Sequence, residues 1–358
     1  MNRSDYKRLG DYIEPVDERN ANGEIKLSQG ISNNKYFQTP KQVATDSTKD
    51  NIVRKGYFAY NRATTRNGEK ISIAYREGED CTVSGAYQVF RIKDESLLHP
   101  VYLWMWFRRP EFDRYARFKS HGSAHEFFEF DEMCEVMLPV PSIERQRAMV
   151  AEYETLSRRI DLNRSMIAQL EATAQTLYRK MFVDDIDPEH LPAGWRMGTL
   201  SEIAEISSGK TCVNKSNNKG GQYIYPVAGA SGIIGYSTTY NQEVELLTTG
   251  RVGTLGVVNR YNTKLYTADN VLVIKSDNLE FCYQVLSNLD YEEITKGGVQ
   301  SLITQTDLNK VMLVIPSQYT LNSYEKISRT IYGYIDLIDI ENKNLTELQS
   351  LLLAKMGQ

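Results

Sequence analysis

The chain has 358 residues, enough for two or three domains, with 41% hydrophobic and 25% charged residues, as in ordinary globular proteins. Its formal net charge of −4 gives no overall basic surface, so any nucleic-acid affinity has to come from local patches. The start (Met1 to Tyr6) holds no apolar run, the most apolar stretch (Pro100 to Phe107) is far too short for a bilayer, and the four cysteines form no CxxC pair. These features predict a cytoplasmic protein with no secretory signal, no membrane contact and no structural zinc.

Taken in chain order, residues 1–141 predict a first mixed α/β domain. Strand-like runs at Tyr57–Tyr60, Ile71–Ala74 and Tyr87–Ile92 lie between Gly, Asn and Asp turn signals. A helix follows Pro100, and its Tyr102, Trp104, Trp106 and Phe107 are read as core. Pro139 and Pro141 close this domain, Ser142 is the expected N-cap, and Glu144 puts a negative charge in the first turn of a long helix over 142–183. In that helix Met149, Tyr153, Leu156, Ile160, Asn163, Ile167, Leu170, Ala174, Leu177 and Met181 alternate at gaps of four and three, the seam of a coiled coil. The acidic run Asp184-Asp185-Ile186-Asp187-Pro188 ends it. Residues 184–316 are linker and second mixed domain, with strands expected at Tyr223–Val227, Gly256–Val258 and Val271–Ile274. Here Val271–Lys275 echoes Val89–Lys93. A second long helix fills 317–358.

The second helix copies the first. Adding 175 to each seam position gives Tyr324, Ser328, Ile331, Ile335, Ile338, Asn342, Leu345, Gln349, Leu352 and Met356. Val136-Met137-Leu138 and Pro141-Ser142 recur at the same offset as Val311-Met312-Leu313 and Pro316-Ser317. One fixed offset over this length marks an internal repeat. The simplest closure pairs the helices antiparallel, with paired residue numbers summing to about 505 if Met149 faces Met356. Asn163 then meets Asn342, and two facing amides satisfy each other where a lone one would not. The fold class is therefore α/β (α+β): two similar globular domains separated by two long helices that form an intramolecular antiparallel coiled coil.

This layout resembles the specificity subunit of Type I restriction–modification enzymes, over essentially the whole chain. Tyr6-Lys7-Arg8-Leu9-Gly10-Asp11-Tyr12-Ile13 and Leu191-Pro192-Ala193-Gly194-Trp195 look like the family's domain openings. Val140-Pro141-Ser142-Ile143-Glu144-Arg145-Gln146 resembles its entry into the conserved helix, with an Arg inserted before the Gln. The second copy, Ile315-Pro316-Ser317-Gln318-Tyr319, lacks the Glu. The resemblance implies that each globular domain is a target-recognition domain for one half of a split sequence in double-stranded DNA. It implies that the helices set the spacer, that two methyltransferase subunits dock on the helical region, and that restriction (translocase–nuclease) subunits complete the complex. It also implies that this chain is not an enzyme and binds no cofactor, S-adenosylmethionine being held by the methyltransferase partner.

The residues agree with an absence of catalysis. There is no Pro-Pro pair for a methyltransferase loop, and the Gly-Lys pair Gly209-Lys210 has Ala204 where a P-loop needs its first Gly. His121 and His125 are four apart, but a surface loop containing Gly122 and Ser123 is the better reading. DNA contact calls for basic and small polar side chains on loops. The candidates are Arg62, Thr64, Thr65, Arg66, Asn67 and Lys70 in the first domain, with Lys119 and His121 on a later loop. In the second domain they are Lys210, Thr211, Asn214, Lys215, Asn217 and Lys219, then Arg251 and Thr254, then Lys296 and Gln300. Arg158, Arg159 and Arg164 mark a basic helix face for partner docking, and Asn163 with Asn342 would fix register. The competing interpretation is a duplicated protein-interaction module with a coiled-coil spacer and no DNA ligand.

Overall fold

The computed structural model describes residues 6–40, 47–64, 70–120, 126–252, 255–294 and 302–357. Among these residues lie the helices α1 (Pro100–Phe107), α2 (Pro110–Lys119), α3 (Phe130–Cys134), α4 (Ile143–Phe182), α5 (Leu279–Ser287), α6 (Tyr291–Ile294), α7 (Gln305–Asn309) and α8 (Gln318–Lys355). The chain divides into two compact units: Met1–Asn163 with Ile340–Gln358, and Arg164–Asp339. Each unit thus contains one globular part and one half of each long helix.

In the first unit an antiparallel sheet runs in the order Ile13–Val16, Tyr87–Ile92, Phe58–Asn61, Ile73–Tyr75. Phe58 stacks on Phe90 with ring centroids 5.1 Å apart, and Phe107 of α1 meets both edge-on. Of the aromatics read as core in α1, Tyr102, Trp106 and Phe107 are buried, while Trp104 is partly covered, with the Arg108 guanidinium over its ring. Tyr6–Arg8 pairs with Met137–Pro139 just before α4.

The second unit repeats this plan strand for strand: Glu205–Ser208, Val271–Lys275, Leu246–Gly250, Val258–Tyr261, all antiparallel. Arg196–Thr199 pairs with Met312–Ile315 before α8. The Leu9 amide donates to the Val136 carbonyl at 2.8 Å, and the Leu200 amide to the Val311 carbonyl at 2.9 Å. Equivalence fixed on these two leucines places Glu14 opposite Arg91 where Glu205 stands opposite Lys275. The counterpart of Lys275 is therefore Arg91, two residues before the Lys93 suggested by the sequence echo. A slip of two residues keeps every side chain on its own face of the sheet, which is why the echo looked plausible. The strand expected at Gly256–Val258 starts only at Val258, because Gly256 has φ +81° and belongs to a turn. A further sheet, absent from the first unit's plan, combines Lys215–Ser216, Gly232–Ser237, Tyr225–Gly229 and Tyr266–Thr267.

The long helices bury two stripes, not one. In the first unit, α4 and α8 run antiparallel. Gln349 Nε2 donates to Ser157 Oγ at 2.7 Å. Asn163 Nδ2 donates to Asn342 Oδ1 at 3.0 Å and to Glu341 Oε2 at 3.0 Å. In the second unit, Ala174 packs with Tyr332 and Ile335, and Phe182 meets Tyr324 edge-on at 5.1 Å. These partners sum to between 504 and 509. The second stripe faces the globular part. In the first unit Gln146, fully buried, accepts from the His99 amide (2.8 Å) and donates to the Leu97 and Pro141 carbonyls (2.9 Å each), fastening the start of α4 to the start of α1. Its repeat counterpart is Leu321, which packs among Tyr178, Phe182 and Phe281 instead. Four residues on, buried Glu325 accepts the Phe281 amide at 2.8 Å and the Glu280 amide at 3.4 Å, so a carboxylate caps the N-terminus of α5. Burial pushes the Glu325 carboxyl above the usual range.

Candidate nucleic-acid interface

Two of the three loops nominated in the second unit converge on one turn. Gly209 leaves the strand Glu205–Ser208 so close to residues 267–268 that a Cβ there would lie 1.9 Å from the Ala268 carbonyl oxygen. Only glycine allows this approach. It lets the Lys210 amide donate to the Thr267 carbonyl at 2.9 Å and Thr211 Oγ1 donate to Asp269 Oδ2 at 2.8 Å. Tyr266 donates its hydroxyl to the Thr211 carbonyl at 3.0 Å. From the other side, the Arg251 amide donates to the Asn270 carbonyl (3.1 Å), and its Nη1 lies 3.5 Å from the Asp269 carbonyl oxygen. Lys210, Thr211 and Arg251 therefore surround residues 266–270, a turn the sequence reading passed over. Its run of small and polar residues, Thr267-Ala268-Asp269-Asn270, just ahead of a buried strand, was the available signal.

Lys215 sits on a short strand paired with Tyr236 and Ser237, and Lys215, Asn214, Asn217 and Lys219 are exposed. Among the described residues, none forms an ion pair with Lys210, Lys215 or Lys219. Residues 184–316 carry ten basic and fifteen acidic groups, so these uncompensated lysines stand out against an acidic background. Local positive charge of this kind is what contact with a phosphate backbone calls for.

The first unit's candidates are more heavily engaged. Arg62 is half-buried, with Nη1 3.6 Å from Glu129 Oε2. Thr64 is 3% exposed, and both its amide and hydroxyl donate to the Glu126 carbonyl, at 2.9 and 3.1 Å. It cannot present that hydroxyl to a ligand, which corrects its nomination. The physical reason is that residues 62–64 pair with 126–128 as a short ladder and are not a free loop. Lys70 is exposed. Lys119 is held by Glu132 at 3.1 Å, an ion pair that keeps its ammonium above its usual range and leaves it only partly available. Thr65, Arg66, Asn67, His121, Thr254, Lys296 and Gln300 lie outside the described residues, as does His125.

On the helix face, Arg158 is exposed and its Nε lies 3.4 Å from the Glu154 carbonyl. Arg164 is also exposed. Arg159, half exposed, is already engaged within the chain: it grips Glu341 of α8 with Nε at 2.9 Å and Nη2 at 3.0 Å. That grip, followed by the Asn163 hydrogen bond, holds the Glu341 carboxyl below the usual range. The register lock is thus a four-residue network, Arg159–Glu341–Asn163–Asn342, of which the sequence revealed the two amides. Among the described residues no helix is long and apolar enough to cross a membrane.

Comparison with known proteins adds the following. Residues 192–350 match the family profile described as "Type I restriction modification DNA specificity domain". The HindI specificity subunit of Haemophilus influenzae, a Type I restriction enzyme component, is 20% identical over 91% of this chain and 91% of its own. The EcoprrI specificity subunit of Escherichia coli is 27% identical over 42% of this chain and 37% of its own. In fold, the crystal structure of a Type I restriction–modification S subunit from M. genitalium superposes with a TM-score of 0.62 at 14% identity, covering 99% of this chain and 96% of that one. Taken with the doubled strand order and the paired long helices, these matches make the chain similar to Type I restriction–modification specificity subunits over nearly its whole length, with the family profile itself confined to residues 192–350.

Proposed function

We propose that the chain is the DNA-reading subunit of a Type I restriction–modification complex, with each unit reading one half of a split target. The observation that carries this is the doubling of the sheet order, and of the strand pair that precedes each long helix, around two different sets of surface loops. A shared frame with divergent loops is what two readers of two different half-sites require, since base contacts specify while the frame positions. The exposed Lys210–Lys219 loop supplies phosphate contact in the second unit, and Lys70 with Arg62 in the first. The helices join the two readers and carry the docking face for two methyltransferase subunits, with Arg158 and Arg164 on its exposed side; restriction subunits complete the assembly. Methyl transfer belongs to the methyltransferase partner, which holds S-adenosylmethionine, and this chain contributes recognition alone.

The test is methylome sequencing of host cells with and without the gene. A split motif methylated on adenine is expected to disappear on deletion and to return with a plasmid copy. An unchanged methylome in an active system would refute the reading. Replacing the first globular part with that of another family member is expected to change one half of the motif and leave the other.

A further inference from the structure

Superposing the two units by strand register brings together two arginines that sequence comparison keeps apart. Asn61 pairs with Tyr87 at the end of its strand, and Gly250 pairs with Val271 at the end of the matching strand. The next residues are Arg62 and Arg251. The Arg62 carbonyl accepts the Phe128 amide at 2.9 Å, and the Arg251 carbonyl accepts the Ile303 amide at 3.0 Å. Phe128 and Ile303 are both fully buried and are 175 apart, so this anchor is the internal repeat itself. In each arginine the Nε is buried and, among the described residues, has no hydrogen-bond partner. Nature of the neighbours aside, two donors stand unpaired at one place in both copies, against the general rule that buried donors are satisfied.

We infer that Arg62 and Arg251 are matched anchors for the DNA backbone, one per half-site, each contacting a phosphate and not a base. This rests on the DNA-reading function proposed above and assigns a division of labour within it. The two units differ at the neighbouring positions: register places Gly85 where the second unit has Asp269. A residue retained while the readers around it diverge fits the one DNA feature that is common to every sequence, the phosphodiester. Each guanidinium keeps its Nε buried while the side chain as a whole is only partly covered, and a planar fork of donors reaching the surface suits a phosphate. Glu129 lies beside Arg62, whereas no described carboxylate pairs with Arg251, so a phosphate must displace an acidic neighbour in the first unit only.

The experiment uses the full chain in complex with its methyltransferase subunits and duplexes carrying the methylome-defined motif. Binding is measured from 50 to 200 mM salt on the intact site and on sites substituted one base pair at a time. For R62A and R251A the slope of log affinity against log salt is expected to become less negative by about 0.9 each, so the advantage of wild type shrinks about 3.5-fold across that range. Every base-pair penalty is expected to persist, and R62K and R251K are expected to restore the slope. A slope unchanged by alanine overturns the inference. So does the collapse of one base pair's penalty, roughly tenfold to hundredfold for a base reader. If an alanine variant melts early, the lysine variant decides, because a merely structural Nε would not be replaced by an ammonium: a lysine slope at the alanine value overturns it. A wild-type complex with no split-site preference would instead refute the proposed function, and the assignment of one anchor per half-site falls with it.

Discussion

The Asn163–Asn342 contact gives the sharpest test of how the helices find their register. Asn163 is 1% exposed, and its amide nitrogen makes two hydrogen bonds, to Asn342 and to Glu341. Asn163→Ala removes both and leaves an acceptor on a half-buried partner. At about 1 kcal/mol per net bond the cost is about 2 kcal/mol, with water access to Asn342 keeping it from the upper end of the range. Asn342→Ala removes one bond and should cost about 1 kcal/mol. The double variant loses the shared bond only once, so a double-mutant cycle should show a coupling of about 1 kcal/mol. Replacing both by leucine should come within about 1 kcal/mol of wild type, because paired removal leaves no orphaned amide. Amide exchange along residues 150–163, read by mass spectrometry, measures the opening free energy of this segment without assuming that the whole chain unfolds as one. Additivity of the single variants within about 0.3 kcal/mol would refute the idea that the two amides act as a pair.

Other consequences follow from the same structure. Gln146→Leu strands the His99 amide and the Leu97 and Pro141 carbonyls; it should cost about 3 kcal/mol or more, seen as faster exchange of the His99 amide together with a lower melting temperature. Glu325 has a folded-state pKa above the ordinary glutamate value of about 4.3, so its ionisation costs stability as pH rises from there through the folded value. Glu325→Gln keeps an acceptor for the Phe281 amide but cannot ionise. Its melting temperature should gain on wild type between pH 4.5 and 7.5 (roughly the window opening at the unfolded value), and a constant or shrinking gap would contradict the burial argument. Gly209→Ala drives a Cβ into the Ala268 carbonyl, so the Lys210 and Thr211 tethers should break. Discrimination at the second half-site should then fall in binding assays while the first half-site is read as before.

Much of the scaffold was legible because helices and their seams are periodic. The run from Met149 to Met181 and its copy announce α4 to within one residue at each end and α8 to within three, and the Asn163–Asn342 contact follows from counting. The second buried stripe was not legible. Tyr178, Phe182 and Tyr332 lie off the seam and are buried because a globular part packs on them, which no helical period announces. Gln146 was visible as part of a motif, but its three hydrogen bonds depend on where α1 begins. The same limit applied to the site. Thr64 has loop-like neighbours and turned out to be laddered to Glu126, and Arg159 reads as exposed charge until Glu341 is placed opposite it.

Why the repeat is plain in one part of the chain and hidden in another has a single physical cause. From Phe128 and Ile303 onward the spacing is constant at 175: α3 and α7 correspond residue for residue, as do the strands beginning at Met137 and Met312. Upstream the spacing is 191 at Leu9 and Leu200, 189 at Arg62 and Arg251, and 184 at Arg91 and Lys275. A coiled-coil layer cannot absorb an insertion, because one added residue rotates every later side chain by about 100° off the seam. A sheet tolerates insertions wherever a surface loop joins two strands, since loop length changes closure entropy only slowly. Drift therefore accumulates in the loops that face solvent and halts where the chain enters the helices. The part free to drift is also the part that must differ if two units read different sequences. Arg62 and Arg251 keep their place through that drift because their carbonyls are bonded to Phe128 and Ile303, the first residues of the invariant frame. On the inference drawn above, loops could thus be exchanged while Arg62 and Arg251 stay fixed to the frame that leads into the long helices.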